Sequence, residues 1–429
     1  MAEPSRAPRV ARGAPATAWP AHLQPLTNAN RARHIPVLHV AAGGGNSNGV
    51  RIALAGLGAA QAALGHAVTL HLSGPDEYTD ELHDAGADAV TVVRSPFIGP
   101  AGIGFSAAGE RWVTSDAAAR ASVLHQHGIW PAHSRLSRRW RARNHGPTVI
   151  APHGSLTAVA LGFSRWKKTL ALAAYERRNL HDASCLHATA EEEVASFRDF
   201  GLRNPVAVIP NGTSEGWLRS SGDAGRFREA YGLGPERTLL YFSRVHPKKN
   251  LLALVEAMAA LGPRLAGWQL VIAGPEEDRA YAERVRETVR AHQLAARVHW
   301  VGELHGRAKR DAFAAADLMI LPTLSENFAL VVAESLGARV PVLTTEGALP
   351  WYRLEEHRCG WWVKHTLPPL VAALDEAAHL PPAELRAMGV RGHALVEREF
   401  RWARVAAQTT RLYDWLLGHA ERPEFVVVD

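Results

Sequence analysis

Two glutamates, Glu326 and Glu334, are separated by seven intervening residues in the stretch S-E-N-F-A-L-V-V-A-E-S-L. If the first lies in a turn and the second about two helical turns further on, both can accept hydrogen bonds from sugar hydroxyls on either side of a phosphate. A helix N-terminus between them adds free N–H groups and a partial positive charge, which suit that phosphate. A second set is cationic. Arg244 and Lys249 lie in S-R-V-H-P-K-K-N, where a diphosphate needs cations. A third set is imidazole. His127 and His153 each precede a glycine at the end of an apolar run, and a neutral imidazole can hold a hydroxyl. His125, two residues before His127, faces the same side but lies further from the strand end.

These side chains need elements to hold them. Leu318–Leu321 with Pro322 reads as a buried parallel strand, and the segment after Phe328 as a helix. Ligands of open α/β sheets bind beyond the carboxyl ends of such strands. A second reading of the same residues is a capping box, Thr323-x-x-Glu326, with Glu334 solvated. Earlier, Pro36–Ala42 and Ala67–Leu72 read as strands flanking a helix over Arg51–Leu64, with a glycine loop at Gly43, Gly44 and Gly45. That loop lacks the G-x-G-x-x-G spacing, and Ser73-Gly74-Pro75 replaces the acidic residue expected at the second strand end, which disfavours an NAD oxidoreductase. A tight turn that only glycine can make remains the other reading of the loop.

Further strands are expected at Ser122–His127, Thr148–Ala151, Val206–Pro210, Thr238–Phe242, Gln269–Ala273 and Val298–Val301, with Val340–Thr345 the last clear one. Residues 213–235 read as linker and lead-in helix, Asp311–Asp317 as helical, Arg398–Leu417 as a final amphipathic helix, and the tail as uninformative. From Pro131 to Arg178 there are ten Lys or Arg against the single acid Glu176, interleaved with Trp140 and Trp166 and preceded by Trp130. That run fits either a solvated helix face or a surface for anionic lipid.

The chain has 429 residues, 47% of them hydrophobic, and a net charge of +6. That suffices for two or three domains and is compatible with phosphorylated substrates, an anionic membrane surface or nucleic acid without selecting among them. Cys185 and Cys359 are far apart, so neither a disulfide framework nor a zinc spacing is expected, which fits a reducing cytoplasm. No apolar run is long enough to span a membrane. Residues 1–34, rich in Ala, Pro and Arg, read as a disordered extension or the product of an upstream start codon.

The Glu-x7-Glu pair, Arg244-x4-Lys249, Pro210-Asn211-Gly212 and the strand order together resemble the retaining GT-B glycosyltransferases of family 4, over nearly all of residues 36–417. Leu349-Pro350-Trp351 and Gly360-Trp361-Trp362 are similar to strings in members that build bacterial surface polysaccharide. The resemblance implies an α/β chain of two Rossmann-like domains facing across a cleft: an acceptor domain over 35–211, a donor domain over 212–396, and a helix over 397–418 crossing back to the first. It implies transfer of a hexose from a nucleoside diphosphate sugar to a hydroxyl. The roles it implies are His127 beside the transferred sugar, Arg244 and Lys249 on the leaving diphosphate, Glu326 on the sugar and Glu334 on the ribose. Asn327, Phe328 and Ala329 would border the donor. Gly274, Glu303 and Leu304 would lie against the base, Gly44 and Gly45 against the diphosphate, and Asn48 and His153 toward the acceptor. No Asp-x-Asp motif stands at the site, so cations are expected to replace a metal, with no cofactor. The expected partners are a nucleotide sugar, a saccharide or lipid-linked saccharide and an anionic membrane surface, not nucleic acid, in the cytoplasm at the inner membrane face. The family commonly has glycine where this chain has Asn250 and Ala329; if the latter needs an unusual backbone angle, alanine costs roughly 1 kcal/mol. A GT-B epimerase and a non-catalytic nucleotide-sugar or nucleic-acid binder are the alternative functions.

Overall fold

The computed structural model describes residues 33–42, 48–74, 85–99, 103–219 and 221–428. The glycine loop at Gly43–Gly45 and most of the expected extension over 1–34 lie outside them.

Fourteen strands form two sheets among the described residues. The first has the order β14-β7-β6-β5-β4-β1-β2-β3. Its strands are β1 (Val37–Ala42), β2 (Val68–Ser73), β3 (Thr91–Ser95), β4 (Val123–His127), β5 (Thr148–Ala151), β6 (Cys185–Ala188), β7 (Val206–Val208) and β14 (Val426–Val427). The second has the order β10-β9-β8-β11-β12-β13. It comprises β8 (Arg237–Phe242), β9 (Trp268–Ala273), β10 (Val298–Gly302), β11 (Leu318–Leu321), β12 (Val342–Thr345) and β13 (Gly360–Val363). All pairs are parallel except β14 with β7. Central strands such as LMIL in β11 and VLHQH in β4 are buried at every position, as parallel strands covered by helices on both faces must be. Every carboxyl end within a parallel sheet points the same way, so the loops that follow β4, β5, β8 and β11 gather at sheet edges.

Four expectations need correction. The tail is not uninformative: Phe425 packs in the first lobe's core, and β14 covers the sheet edge at β7. Val340–Thr345 is not the last strand, because β13 pairs with β12. Gly360 permits that pairing, since a Cβ there would lie 2.1 Å from the Val342 carbonyl oxygen. The helix expected over Asp311–Asp317 runs instead over Gly306–Ala314. Its basic first half masked its period, and Asp311 faces inward to meet Arg226 at 2.6 Å.

The helix expected over Arg398–Leu417 starts later, at Trp402, and runs to Leu416, while Arg398 and Glu399 end a separate helix, Pro382–Glu399. The break at Phe400–Arg401 has a partner. Thr213 donates its N–H to the Phe400 carbonyl (2.6 Å), so the two chain crossings between lobes lie side by side. Trp402 seals this junction against Gly56 and Gly212, where an added Cβ would come within 2.1 and 2.5 Å of the indole. From there the helix Trp402–Leu416 packs Val405, Leu412 and Tyr413 into the first lobe.

Candidate active site

A cavity of about 1500 Å³ opens between the lobes, lined from the first by His153 and Gly154 and from the second by Arg244, Lys249, Glu326 and Glu334. Its second-lobe wall starts at the end of β8. The chain turns through Ser243–Lys249 into the helix Leu251–Leu261, and Asn250 takes a left-handed conformation (φ 56°) at the junction. Asparagine tolerates that region better than other non-glycine residues, which explains how it stands where the family has glycine. This loop is tied to the one after β11. Leu324 donates its N–H to the Lys248 carbonyl (2.9 Å), and the Thr323 hydroxyl oxygen lies 3.2 Å from the same oxygen.

Those ties bring Lys249 onto Glu326. Their ammonium and carboxylate form an ion pair, with side chains only 10% and 13% exposed. Burial alone would raise the Glu326 pKa, but the charge and hydrogen bond of Lys249, with help from Lys248, hold it below the ordinary carboxylate value. Lys248 goes the other way: burial lowers its pKa, and Glu326 offsets that only in part. Both lysines, together with Arg244, line the cavity. Arg244 pairs with Glu277 at its outer side.

The helix after β11, Leu330–Gly337, begins at Ala329 (φ 55°, ψ 64°), and no side chain caps it. Among the described residues its first-turn N–H groups have no side-chain acceptor, which is what an anion needs. The capping-box reading fails here. Thr323 donates to the Glu326 carboxylate at 3.1 Å, but it stands six residues before the N-cap. Glu334 lies in the cavity wall and accepts a charged hydrogen bond from Lys309 (2.6 Å), whose ammonium sits over the rings of Trp217 and Phe242, 5.2 Å from each. Sequence reading missed Lys309, Lys248 and Trp217. Lys309 lies 25 residues from Glu334 on a separate helix, and nothing local announces the pairing.

The other expected donor residues divide. Gly274 has φ 143°, and a Cβ there would lie 2.0 Å from the Ser243 carbonyl oxygen, so only glycine lets β8 and β9 end so close together. Glu303 and Leu304 line the cavity as expected. Phe328 does not line the cavity: it is buried against Trp351 and Phe400. Asn327 reaches across to the first lobe. With its amide nitrogen turned toward Glu193 it donates to both carboxylate oxygens (2.8 and 3.0 Å). Glu193 also accepts the N–H groups of Gly154 (2.8 Å) and Thr189 (2.7 Å).

On the first-lobe wall the two expected histidines differ. His153 lines the cavity, with a left-handed backbone (φ 50°) at the end of β5. His127 does not line it; it is 3% exposed and sits behind His153, with both ring nitrogens taken. Asn48 begins the helix Asn48–Ala63, and its side chain, like Gly44 and Gly45, lies outside the described residues.

The basic run also divides. Arg135 and Arg139 pair with Glu110 (2.5 and 2.8 Å), and Trp140 is fully buried, so its first half serves packing. Glu176 is internal as well, accepting from Trp130, Ser134 and Asn179. In the second half Val159, Phe163, Trp166 and Leu170 are all exposed beside Arg165 and Lys167.

A model of the glycosyl transferase 4-like domain matches residues 48–212, and a model of glycosyl transferases group 1 matches residues 224–389. The chain belongs to the family-4-type GT-B glycosyltransferases. The GDP-mannose:cellobiosyl-diphosphopolyprenol α-mannosyltransferase of Komagataeibacter xylinus is 28% identical over 52% of this chain and 56% of its own length. The lipopolysaccharide core biosynthesis mannosyltransferase LpsB of Rhizobium meliloti is 30% identical over 33% of this chain and 41% of its own. The chain thus spans about half the length of the curated relatives it matches. Anabaena HepE, solved with UDP and glucose, superposes with a TM-score of 0.72 over 88% of this chain and 99% of its own, at 17% identity, which establishes the GT-B fold.

Proposed function

We propose that this glycosyltransferase moves a hexose, with retention, from a nucleoside diphosphate sugar to a hydroxyl of a saccharide or lipid-linked saccharide in cell-surface polysaccharide assembly. One observation carries the reading: two carboxylates, each paired with a lysine, flank a helix start that has no side-chain cap, inside an interlobe cavity. Lys249, Lys248 and Arg244 would neutralise charge as it develops on the departing diphosphate, usually the largest catalytic contribution. Glu326 orients Lys249 and borders the sugar; Glu334 accepts from the ribose hydroxyls. These cations would do without a divalent metal, and turnover should then survive chelation. Retention follows from the family resemblance and is read from the anomeric configuration of the product by NMR.

The exposed aromatic and basic side chains over Val159–Leu170 support an acceptor presented at an anionic membrane surface on the cytoplasmic face. No helix among the described residues is long and apolar enough to cross a membrane. The names of the two mannosyltransferases, one acting on a diphosphopolyprenol-linked sugar, agree with that acceptor class.

The test of the donor site is Glu334→Gln. It keeps size and helix propensity but loses a charge-assisted hydrogen bond, so donor kcat/KM should drop about ten- to a hundredfold at unchanged Tm. Unchanged donor kinetics would remove Glu334 from the site.

A further inference from the structure

Behind the cavity wall lies a run of side chains that the donor chemistry does not use. Four adjacent strands of the first sheet, β6-β5-β4-β1, contribute five histidines: His187, His153 just after β5, His125 with His127, and His39. Their ring contacts join end to end. His187 Nε2 lies 2.8 Å from the Ile209 carbonyl, and His187 Nδ1 is 3.2 Å from His125 Nε2. His125 Nδ1 is 2.7 Å from the Tyr413 hydroxyl, which is 3.3 Å from Gln61 Nε2. Gln61 Oε1 is 2.7 Å from His39 Nε2, His39 Nδ1 is 2.9 Å from His127 Nε2, and His127 Nδ1 is 3.2 Å from His153 Nε2.

One end determines every proton in this chain. A carbonyl oxygen only accepts, so His187 carries its proton on Nε2. A neutral imidazole has one donor and one acceptor, so His187 Nδ1 accepts and His125 must donate from Nε2. His125 Nδ1 then accepts from the Tyr413 hydroxyl. Tyr413, having donated, accepts from the Gln61 amide nitrogen, which turns the amide oxygen to His39. The rest follows in order: His39, His127 and His153 each donate from Nε2. Neutrality is enforced by burial, which drives all five imidazoles below their usual pKa, His39 and His187 to about 4 and His153 to about 3.

We propose that His39, Gln61, His125, His127, His187 and Tyr413 are positioning residues, a hydrogen-bond chain of one polarity that locks His153 as its Nε2–H tautomer. The chain keeps the His153 Nδ1 lone pair, which has no hydrogen-bond partner among the described residues, available as a hydrogen-bond acceptor on the cavity wall. Resting on the transferase reading above, its ligand is the incoming hydroxyl of the acceptor. A neutral imidazole so reluctant to protonate orients that hydroxyl without taking its proton, which passes to the departing diphosphate as the bond from sugar to diphosphate breaks and the bond to the acceptor oxygen forms. Tyr413 belongs to the helix that crosses from the second lobe, so the crossing itself completes the chain.

A metal centre is the competing use of the same side chains. Ring nitrogens of His39, His125 and His127 lie within 4.8 Å of one another. All six ring nitrogens of these residues already have hydrogen-bond partners in one consistent pattern, and a metal would have to displace several of them.

The direct test is NMR of the full chain with ring-15N-labelled histidine at neutral pH, with peaks assigned by their loss in single His→Gln variants. All five rings should show a protonated Nε2 and a bare Nδ1. An Nδ1–H or doubly protonated ring among them would overturn the proposal, as would a stoichiometric metal in elemental analysis of protein purified without chelator. Tyr413→Phe removes the donor to His125. It should give mixed tautomers at His153 and lower kcat/KM for the acceptor about tenfold, the value of one hydrogen bond, with acceptor-free donor hydrolysis unchanged. A single His153 tautomer in that variant would contradict the chain. If the variant does not fold, the wild-type spectrum decides. If no donor is ever turned over, the transferase reading fails while the tautomer pattern still stands or falls on its own.

Discussion

The two walls of the cavity solve different problems with different chemistry. The second lobe presents formal charges in close pairs, Lys249 with Glu326 and Lys309 with Glu334, each side chain less than 15% exposed. The first presents the neutral imidazole of His153, backed by buried imidazoles hydrogen-bonded behind it. A diphosphate leaving group gains negative charge as its bond breaks, and fixed cations answer that. An attacking hydroxyl needs orientation and can give its proton to the departing diphosphate, and a permanent negative charge beside it would compete with the donor for the cations. Division of labour between the walls is therefore the central claim.

The largest expected effect comes from the charged wall. Lys249→Ala should lower kcat about two to three orders of magnitude, the usual loss for a transition-state donor. It should also destabilise the fold. Lys249 reads from sequence as an exposed loop residue whose loss folding would tolerate; it is in fact buried, and its removal leaves the Glu326 carboxylate without its partner. Breaking one side of a buried pair costs about 3–5 kcal/mol. Adding Glu326→Gln should restore most of the stability and none of the activity, measured by urea denaturation and turnover.

Acid should separate the walls next. The five histidines of the hydrogen-bond chain have folded-state pKa values below the unfolded 6.5, so the unfolded protein binds protons that the native one refuses. Stability is complete above about pH 6.5 and is lost as pH falls toward about 4, the value for His39 and His187. Glu326 is a depressed carboxylate, whose contribution persists above its unfolded pKa and vanishes only as pH drops through its lower folded value. Hydrogen exchange at pH 5 should therefore show β1 and β4 opening while the loops at Lys249 and Glu326 stay protected. Equal protection in both lobes would deny the contrast.

How far these walls were legible follows from how local their signals are. Glu326, Glu334, Arg244 and Lys249 sit in short strings beside clear strands, and both sheets announce themselves in apolar runs such as Leu318–Leu321. The hydrogen-bond chain had no such signal. His39 and His187 are separated by about 150 residues of sequence and meet only through the strand order, and Tyr413 lies 288 positions from His125. His127 was visible as a strand-end histidine, but that His153 stands in front of it is a matter of the turn after β5. The final helix reads four residues too long at its start because Phe400 and Trp402 extend its apolar stripe; the Thr213 contact at Phe400 that separates it from the preceding helix is tertiary.

The smallest effect tests a local misfit in the charged wall. Ala329 is left-handed at φ 55°, a conformation that costs a non-glycine residue about 1 kcal/mol. Ala329→Gly should raise the urea midpoint by a matching amount without lowering kcat. A loss of stability would mean that the Ala329 methyl, packed in the second-lobe core, is worth more than the strain it brings.

The division of labour itself is tested most directly by measuring donor hydrolysis without acceptor alongside transfer, in Lys249→Ala and His153→Gln. Leaving-group stabilisation acts in both reactions, so Lys249→Ala should lower both by the same large factor. Orientation of the acceptor hydroxyl acts only in transfer, so His153→Gln should lower transfer and leave hydrolysis at the wild-type rate. Hydrolysis that survives in Lys249→Ala, or that falls with transfer in His153→Gln, would contradict the assignment of the two walls.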